Sequence, residues 1–173
     1  MKKQVFVING SAGVGKDTFV GIVGERIGIC AVSSIDIIKK IAYQCGCINK
    51  ETEKDRKFLC DLKRLCSEYN DLPFKCIEKE VKYFLENSDF GEMMFLHIRE
   101  PEEIKRAKEQ FNAHTILIRR DCIKHITSND ADKNVFNYEY DTEINNSGSL
   151  DSLIQKAEEF ISDFKKGVIK HSY

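Results

Sequence analysis

Near the start of the chain, Gly10-Ser11-Ala12-Gly13-Val14-Gly15-Lys16-Asp17-Thr18 has the composition and spacing of a polyphosphate cradle. It matches G-x-x-x-x-G-K, with the apolar run QVFVIN at 4–9 in front and a helix-periodic stretch behind. Glycines reach backbone conformations closed to other residues, so successive N–H groups can turn onto one anion. A helix beginning at the end of the loop adds unpaired N–H donors and the positive end of its dipole. Lys16 supplies a mobile cation for the β- and γ-phosphates of a nucleoside triphosphate, expected to be ATP with Mg²⁺. A plain strand-to-helix turn that happens to carry glycines is the competing reading. The position directly after the first strand argues against it.

The residue after such a lysine is usually Ser or Thr, whose hydroxyl ligates Mg²⁺. Here it is Asp17, with Thr18 next. Asp17 can approach the metal directly or through water, Thr18 can be displaced into that role, or Asp17 can cap the helix. Further along, Asp36 and Lys39 stand three residues apart, on one face of a short helix. Asp36 can take a proton from an acceptor hydroxyl or hold a metal-bound water, and Lys39 can bind an acceptor phosphate. An ordinary surface ion pair explains them equally well. Arg99 comes straight off an apolar strand, where a charge has little reason to stand unless an anion meets it. Its structural alternative is a pair with Glu100 or Glu103.

These residues need a scaffold, and the bulk properties bound it. A chain of 173 residues suits one domain over 1–173 with one sizeable core. Hydrophobic residues at 42% and charged residues at 32% are ordinary for a globular protein. With 27 Lys and Arg against 28 Asp and Glu, the net charge of −1 sets up no global attraction to nucleic acid or to an anionic membrane. No apolar run approaches the roughly 20 residues that span a bilayer. The seven cysteines are scattered and odd in number, which fits a reduced cytoplasm better than a disulfide framework. Cys45 and Cys47 have no second pair at zinc-site spacing.

The pattern along the chain alternates. Strands are expected at 4–9, 29–33, 93–98, 114–119 and 141–145. A helix should run from Gly15 to Ile27, with Phe19, Val20, Val23 and Ile27 on its apolar face and Gly28 as a left-handed cap. Residues 35–45 read as helix. In 51–69, Phe58, Leu59, Leu62, Leu65, Cys66 and Tyr69 line one face. Pro73 opens a helix with Ile77, Val81, Phe84 and Leu85 on one side, and Pro101 opens another. Ser149 can cap a last helix whose apolar positions are Leu150, Leu153, Ile154, Ala157, Phe160, Ile161 and Phe164. Such alternation implies an α/β fold: a parallel five-stranded sheet with helices on both faces, and ligands at the carboxyl ends of its strands.

The GKDT ending of the loop, in this layout, resembles a group of P-loop small-molecule kinases. The group includes phage-type deoxynucleoside monophosphate kinases and animal phosphomevalonate kinase. Ser34-Ile35-Asp36-Ile37-Ile38-Lys39 is similar to a segment that often reads A-D-P-L-K in these kinases, with Ile37 in place of the proline. HIREPEEI at 97–104 is similar to their D-x-R-x-x-x-E segment, with Arg99 on the arginine and His97 replacing the acid. The resemblance implies a P-loop NTPase three-layer sandwich of the nucleoside-monophosphate-kinase type. It implies phosphoryl transfer from ATP to a small acceptor, with a nucleoside or deoxynucleoside monophosphate first among candidates.

It further implies a helical acceptor-binding insert over 34–92. An arginine at the place of Arg56 helps hold the acceptor in such kinases, while in the charge-rich run EKDRK a solvated helix face is the stronger reading of Arg56. The resemblance also implies a lid over 120–141. Arg119 or Arg120 would close on the phosphates there, with Lys124, His125 and Lys133 in reach of an anion. Asn146 or Gly148, after the last strand, would border the nucleotide base. A GTPase would show N-K-x-D after the late strands, and a mechanical ATPase an acidic pair at the end of a buried strand. The chain has neither, which leaves a kinase, or else a non-catalytic nucleotide-binding sensor. A homodimer is compatible with the sequence.

Overall fold

The computed structural model describes residues 3–47, 52–87, 89–121 and 135–173. Its elements in order are β1 (Gln4–Asn9), α1 (Lys16–Arg26), β2 (Ile29–Ser33), α2 (Asp36–Gln44), α3 (Glu53–Asn70), α4 (Leu72–Glu86), β3 (Met93–His97), α5 (Pro101–Phe111), β4 (His114–Arg119), β5 (Thr142–Asn145) and α6 (Leu150–Lys166). The five strands are all parallel, in the order β2-β3-β1-β4-β5. This is the α/β sheet expected from the alternating sequence.

Strand alternation decides the layering. Phe6 and Ile8 of β1 point to one face of the sheet, with Phe95 of β3 and Ile116 and Ile118 of β4. Phe19 and Val23 of α1 and Leu153, Ala157, Phe160 and Phe164 of α6 cover that face. Val5 and Val7 point to the other, with Met94 and Leu96, beneath Phe74, Ile77, Val81 and Phe84 of α4 and Ile104 and Ala107 of α5. A strand buried on both sides has no polar face to spare, so β1 reads as one apolar run. Phe6 stacks on Phe95 at 5.4 Å and meets Phe160 edge-on at 5.3 Å. Such pairs add about 0.5–1.5 kcal/mol each beyond the area they bury.

The helix ends follow local chemistry. Thr52 caps α3 by accepting from the Asp55 N–H, and Ser149 caps α6 by accepting from the Ser152 N–H. Pro73 and Pro101 sit in first turns, where no helical N–H bond is lost. Beyond α6 the chain turns at Gly167 and runs beside β5. There the Glu143 N–H donates to the His171 carbonyl at 2.8 Å, and the Asn145 N–H to the Tyr173 carbonyl at 3.1 Å. This pairing covers what would otherwise be an open sheet edge.

Three sequence expectations need correction. Gly28 does not cap α1 in a left-handed conformation, because the C-cap is Ile27, in extended backbone. Gly28 is small for another reason: its carbonyl and Gly91 touch, and a Cβ on Gly91 would lie 2.0 Å from the Gly28 oxygen. In α3 the expected apolar face is divided. Leu59 is buried and Leu62 and Cys66 pack beside it, whereas Phe58, Leu65 and Tyr69 are exposed. The reason is that α3 packs on α2 and α4 and has no sheet beneath it. Leu85 and Leu150 are also exposed, each one turn-edge off the buried stripe of its helix.

Candidate active site

The site lies where the chain changes direction across the sheet. From β1 the chain leaves through α1 to β2, beyond β3, and later returns to β4 on the opposite side of β1. Crevices of this kind, at carboxyl strand ends, are where open α/β sheets take ligands. Residues 10–15 leave β1 into this crevice and end at the first turn of α1.

Two glycines are fixed there by contact as well as conformation. Gly10 has φ +148°, and a Cβ on it would meet the Ile118 carbonyl oxygen at 2.3 Å. Gly15 has φ +97°, and a Cβ there would lie 2.4 Å from the Asn146 side-chain nitrogen. Asn146, buried after β5, donates from Nδ2 to the Val14 carbonyl at 2.8 Å. The sequence reading has Asn146 or Gly148 border the nucleotide base through backbone groups; the Asn146 side-chain amide is engaged with the loop itself. Lys16 begins α1, and its ammonium donates to the carbonyls of Gly10 at 2.5 Å and Ser11 at 2.7 Å. The cation thus stands across the mouth of the loop.

Asp17 and Thr18 follow on the exposed side of the first turn, whose N-cap is Gly15. Asp17 Oδ1 stands 3.6 Å from His97 Nδ1, at the end of β3. Burial lowers the His97 pKa below its usual value, against the pull of the Asp17 carboxylate, so the ring is neutral at pH 7. Among the described residues no three His, Cys, Asp or Glu side chains gather closely enough to hold a metal by themselves.

At the end of β2, Asp36 is tied down twice. Its Oδ2 accepts from the Ser33 N–H at 2.9 Å, and its Oδ1 lies 3.1 Å from Lys39 Nζ. The two residues therefore share a helix face as the spacing predicts, and they form the ion pair weighed as the alternative. Arg56 is exposed near the start of α3. Arg99 follows β3 and Ile98 at the same edge of the sheet, with its backbone carbonyl held by Asn9. Arg119, at the end of β4, is ion-paired with Glu143 and, at 2.8 Å, with Asp121. Arg120 is exposed. Lys124, His125, Lys133 and most of the expected lid fall at 122–134, outside the described residues.

Sequence reasoning missed a cluster behind this edge. Lys63 of α3 reaches Ser34 Oγ at 3.2 Å, Glu103 at 3.1 Å and Glu100 at 2.5 Å. The two glutamates are thus taken up by Lys63, a residue that the α3 pattern had assigned to the charged, solvated side. Burial opposes ionisation of Glu100, yet Lys63 outweighs it and holds that carboxyl below its usual value. Burial, with Glu100 as a like-charged neighbour, pushes Glu103 up to about 7. Because that value lies above the ordinary 4.5, folding favours the protonated Glu103. The stability it contributes is complete below about pH 4.5 and is lost as pH rises through about 7. Melting temperatures from pH 5 to 8 should therefore fall more steeply for the wild type than for Glu103→Gln. Parallel curves would show that Glu103 is ionised throughout.

No family model matches the chain, and no curated protein matches it. Solved structures do. A sugar kinase from Janibacter sp. HTCC2649 superposes with a TM-score of 0.56 at 13% identity, covering 99% of this chain and 100% of that one. A gluconokinase from Sinorhizobium meliloti 1021 superposes with a TM-score of 0.51 at 12% identity, covering 95% and 94%. The chain shares with these two kinases its α/β fold, a parallel five-stranded sheet with helices on both faces. At such identities the likeness extends to backbone architecture over the whole chain, and not to individual side chains. No helix among the described residues is long and apolar enough to cross a membrane.

Proposed function

We propose that this P-loop kinase fold works as an ATP-dependent phosphotransferase on a small acceptor, with a nucleoside or deoxynucleoside monophosphate as the first acceptor to test. The observation that carries the reading is the loop at 10–15. It opens on the sheet's crossover point, two of its positions admit only glycine, and it ends with Lys16 at a helix N-terminus.

Backbone N–H groups of the loop and the first turn of α1 bind the β- and γ-phosphates, and Lys16 swings from the loop carbonyls onto them. Asp17 or Thr18 would hold Mg²⁺, which would supply charge neutralisation during transfer. The acceptor enters between α2 and the ends of β2 and β3. Lys39 and Arg56 meet its anionic part and Arg99 steadies charge on the transferring group. A monophosphate attacks through a phosphate oxygen that carries no proton, and Asp36 takes the proton only where the acceptor oxygen is a hydroxyl. Arg119 joins them by exchanging a carboxylate partner for phosphate. Transfer of this kind depends on positioning and charge rather than on covalent intermediates. A cytoplasmic location accompanies this reading.

The test is ADP release from Mg-ATP against nucleoside monophosphates, deoxynucleoside monophosphates, phosphomevalonate and hydroxylated metabolites. One acceptor should stimulate release, and Arg99→Ala should lower that stimulated rate by roughly 100-fold, as loss of a preorganised charge does, with the melting temperature nearly unchanged. ATP binding with no stimulation by any acceptor would favour a nucleotide sensor. A large fall in melting temperature at normal rate would make Arg99 structural.

A further inference from the structure

We propose that Asn9 and Tyr140 form a buried amide–phenol clamp that fixes the Arg99 turn against the start of the phosphate loop, making both positioning residues for phosphoryl transfer. The inference rests on the kinase reading above.

Asn9 is the last residue of β1 and is completely buried. A polar side chain in that position must find partners for one acceptor and two donors. It finds all three. Its Oδ1 accepts from the Gly10 N–H at 2.8 Å, its Nδ2 donates to the Tyr140 hydroxyl at 2.8 Å, and the same nitrogen donates to the Arg99 carbonyl at 3.3 Å. Tyr140 passes the chain on by donating its own proton to the Val135 carbonyl at 2.8 Å. Burial pushes its phenol up to about 12, so the hydroxyl keeps that proton at any working pH. The donors and acceptors close without a remainder, and that closure sets the orientation of the amide.

One side chain therefore joins three segments far apart in sequence: the first amide of the phosphate loop, the backbone of Arg99, and the stretch 135–140 leading into β5. Gly10 N–H is drawn onto Asn9, which leaves the later loop amides to turn toward the crevice. The Arg99 carbonyl is drawn toward β1, which sets where its guanidinium leaves the backbone. A shift of about 1 Å in such a group costs roughly 100-fold in transfer rate. Aspartate cannot replace Asn9, because it has no donor for the Arg99 carbonyl. Leucine keeps the shape and drops every bond. Phenylalanine at 140 keeps the ring, including its edge contact with Tyr138 at 5.1 Å, and removes only the hydroxyl.

The experiment is a double-mutant cycle on the full chain with Tyr140→Phe, Arg99→Ala and both together. The probes are Mg-ATP affinity by calorimetry, ADP release with the acceptor found in the panel or with water as acceptor, and melting temperature. The expected result has three parts. Tyr140→Phe leaves ATP affinity within about 3-fold of the wild type, lowers turnover by about 10-fold or more, and lowers it no further in the Arg99→Ala background. Asn9→Leu should do the same where it folds, and Tyr140→Phe carries the test where it does not. Equal fold-losses in both backgrounds would show that Tyr140 does not act through Arg99 and would overturn the clamp, as would unchanged turnover in Tyr140→Phe. A wild type that binds no Mg-ATP would instead overturn the kinase reading itself, and the clamp's proposed role with it.

Discussion

Lys16→Ala is expected to lower ATP affinity and turnover by roughly 100-fold or more, while the folded protein melts within about 5 °C of the wild type. The two parts of this result have separate causes. The Lys16 ammonium satisfies the Gly10 and Ser11 carbonyls at the loop mouth. Those oxygens face a crevice that water can enter, so each lost bond costs about 0.5–1.5 kcal/mol net. Alanine is the better helix former at the first position of α1, which offsets part of that loss. A triphosphate, in contrast, loses the one side-chain cation that the loop sequence itself provides. Calorimetric titration with Mg-ATP, beside thermal melting, reads both effects. Unchanged affinity in a folded Lys16→Ala variant would sink the phosphate-loop assignment, and collapse of the fold would move Lys16 into the structural framework.

Gly10→Ala should act in the opposite way, on the fold first. The backbone at Gly10 has φ +148°, a region that costs an L-residue about 1–3 kcal/mol. The added Cβ also falls 2.3 Å from the Ile118 oxygen, which is backbone of the central sheet and cannot rotate aside. Relieving that overlap means separating β1 from β4 at the end that carries the loop, for about 1–3 kcal/mol more. The sum predicts a melting temperature lower by roughly 10 °C, with ATP binding impaired even in the fraction that folds. Gly21→Ala is the control, since a Cβ there meets nothing within 4 Å. Gly21→Ala should be neutral or slightly stabilising, because it removes a helix-interior glycine. Equal melting temperatures for the two variants would mean that the Gly10 backbone relaxes freely.

These expectations divide along what local pattern can carry. The phosphate loop was legible because its function needs a particular residue at each step: glycine where φ is positive, lysine where the helix begins. The three inner strands, β1, β3 and β4, were legible because they are buried on both faces and so appear as apolar runs, whereas the edge strands β2 and β5 carry a weaker signal. The Asp36–Lys39 pair was legible because helical geometry alone brings residues three apart together. Lys63 was not legible, since a lysine on a charged helix reads as solvated. Only the packing of α3 on α2 and α4 sets it between Glu100 and Glu103, some forty residues away. Asn9 and Tyr140 were equally hidden, although an asparagine ending the run QVFVI was a polar residue in a buried position and invited a search for its partners.

The sequence by itself determined the order of strands and helices, the parallel sheet they imply, and the place and chemistry of the phosphate loop. These follow from periodicity and from conformations open only to glycine, which are properties of short stretches. The tertiary structure decided which side of each helix is core, why Gly28 and Gly91 must be small, and which charges neutralise one another around the crevice. It also decided that Asn146 braces the loop and that Asn9 joins it to Arg99. Each of these depends on segments meeting across the sheet, and hydrogen bonds and ion pairs between distant segments leave no periodic trace in the chain.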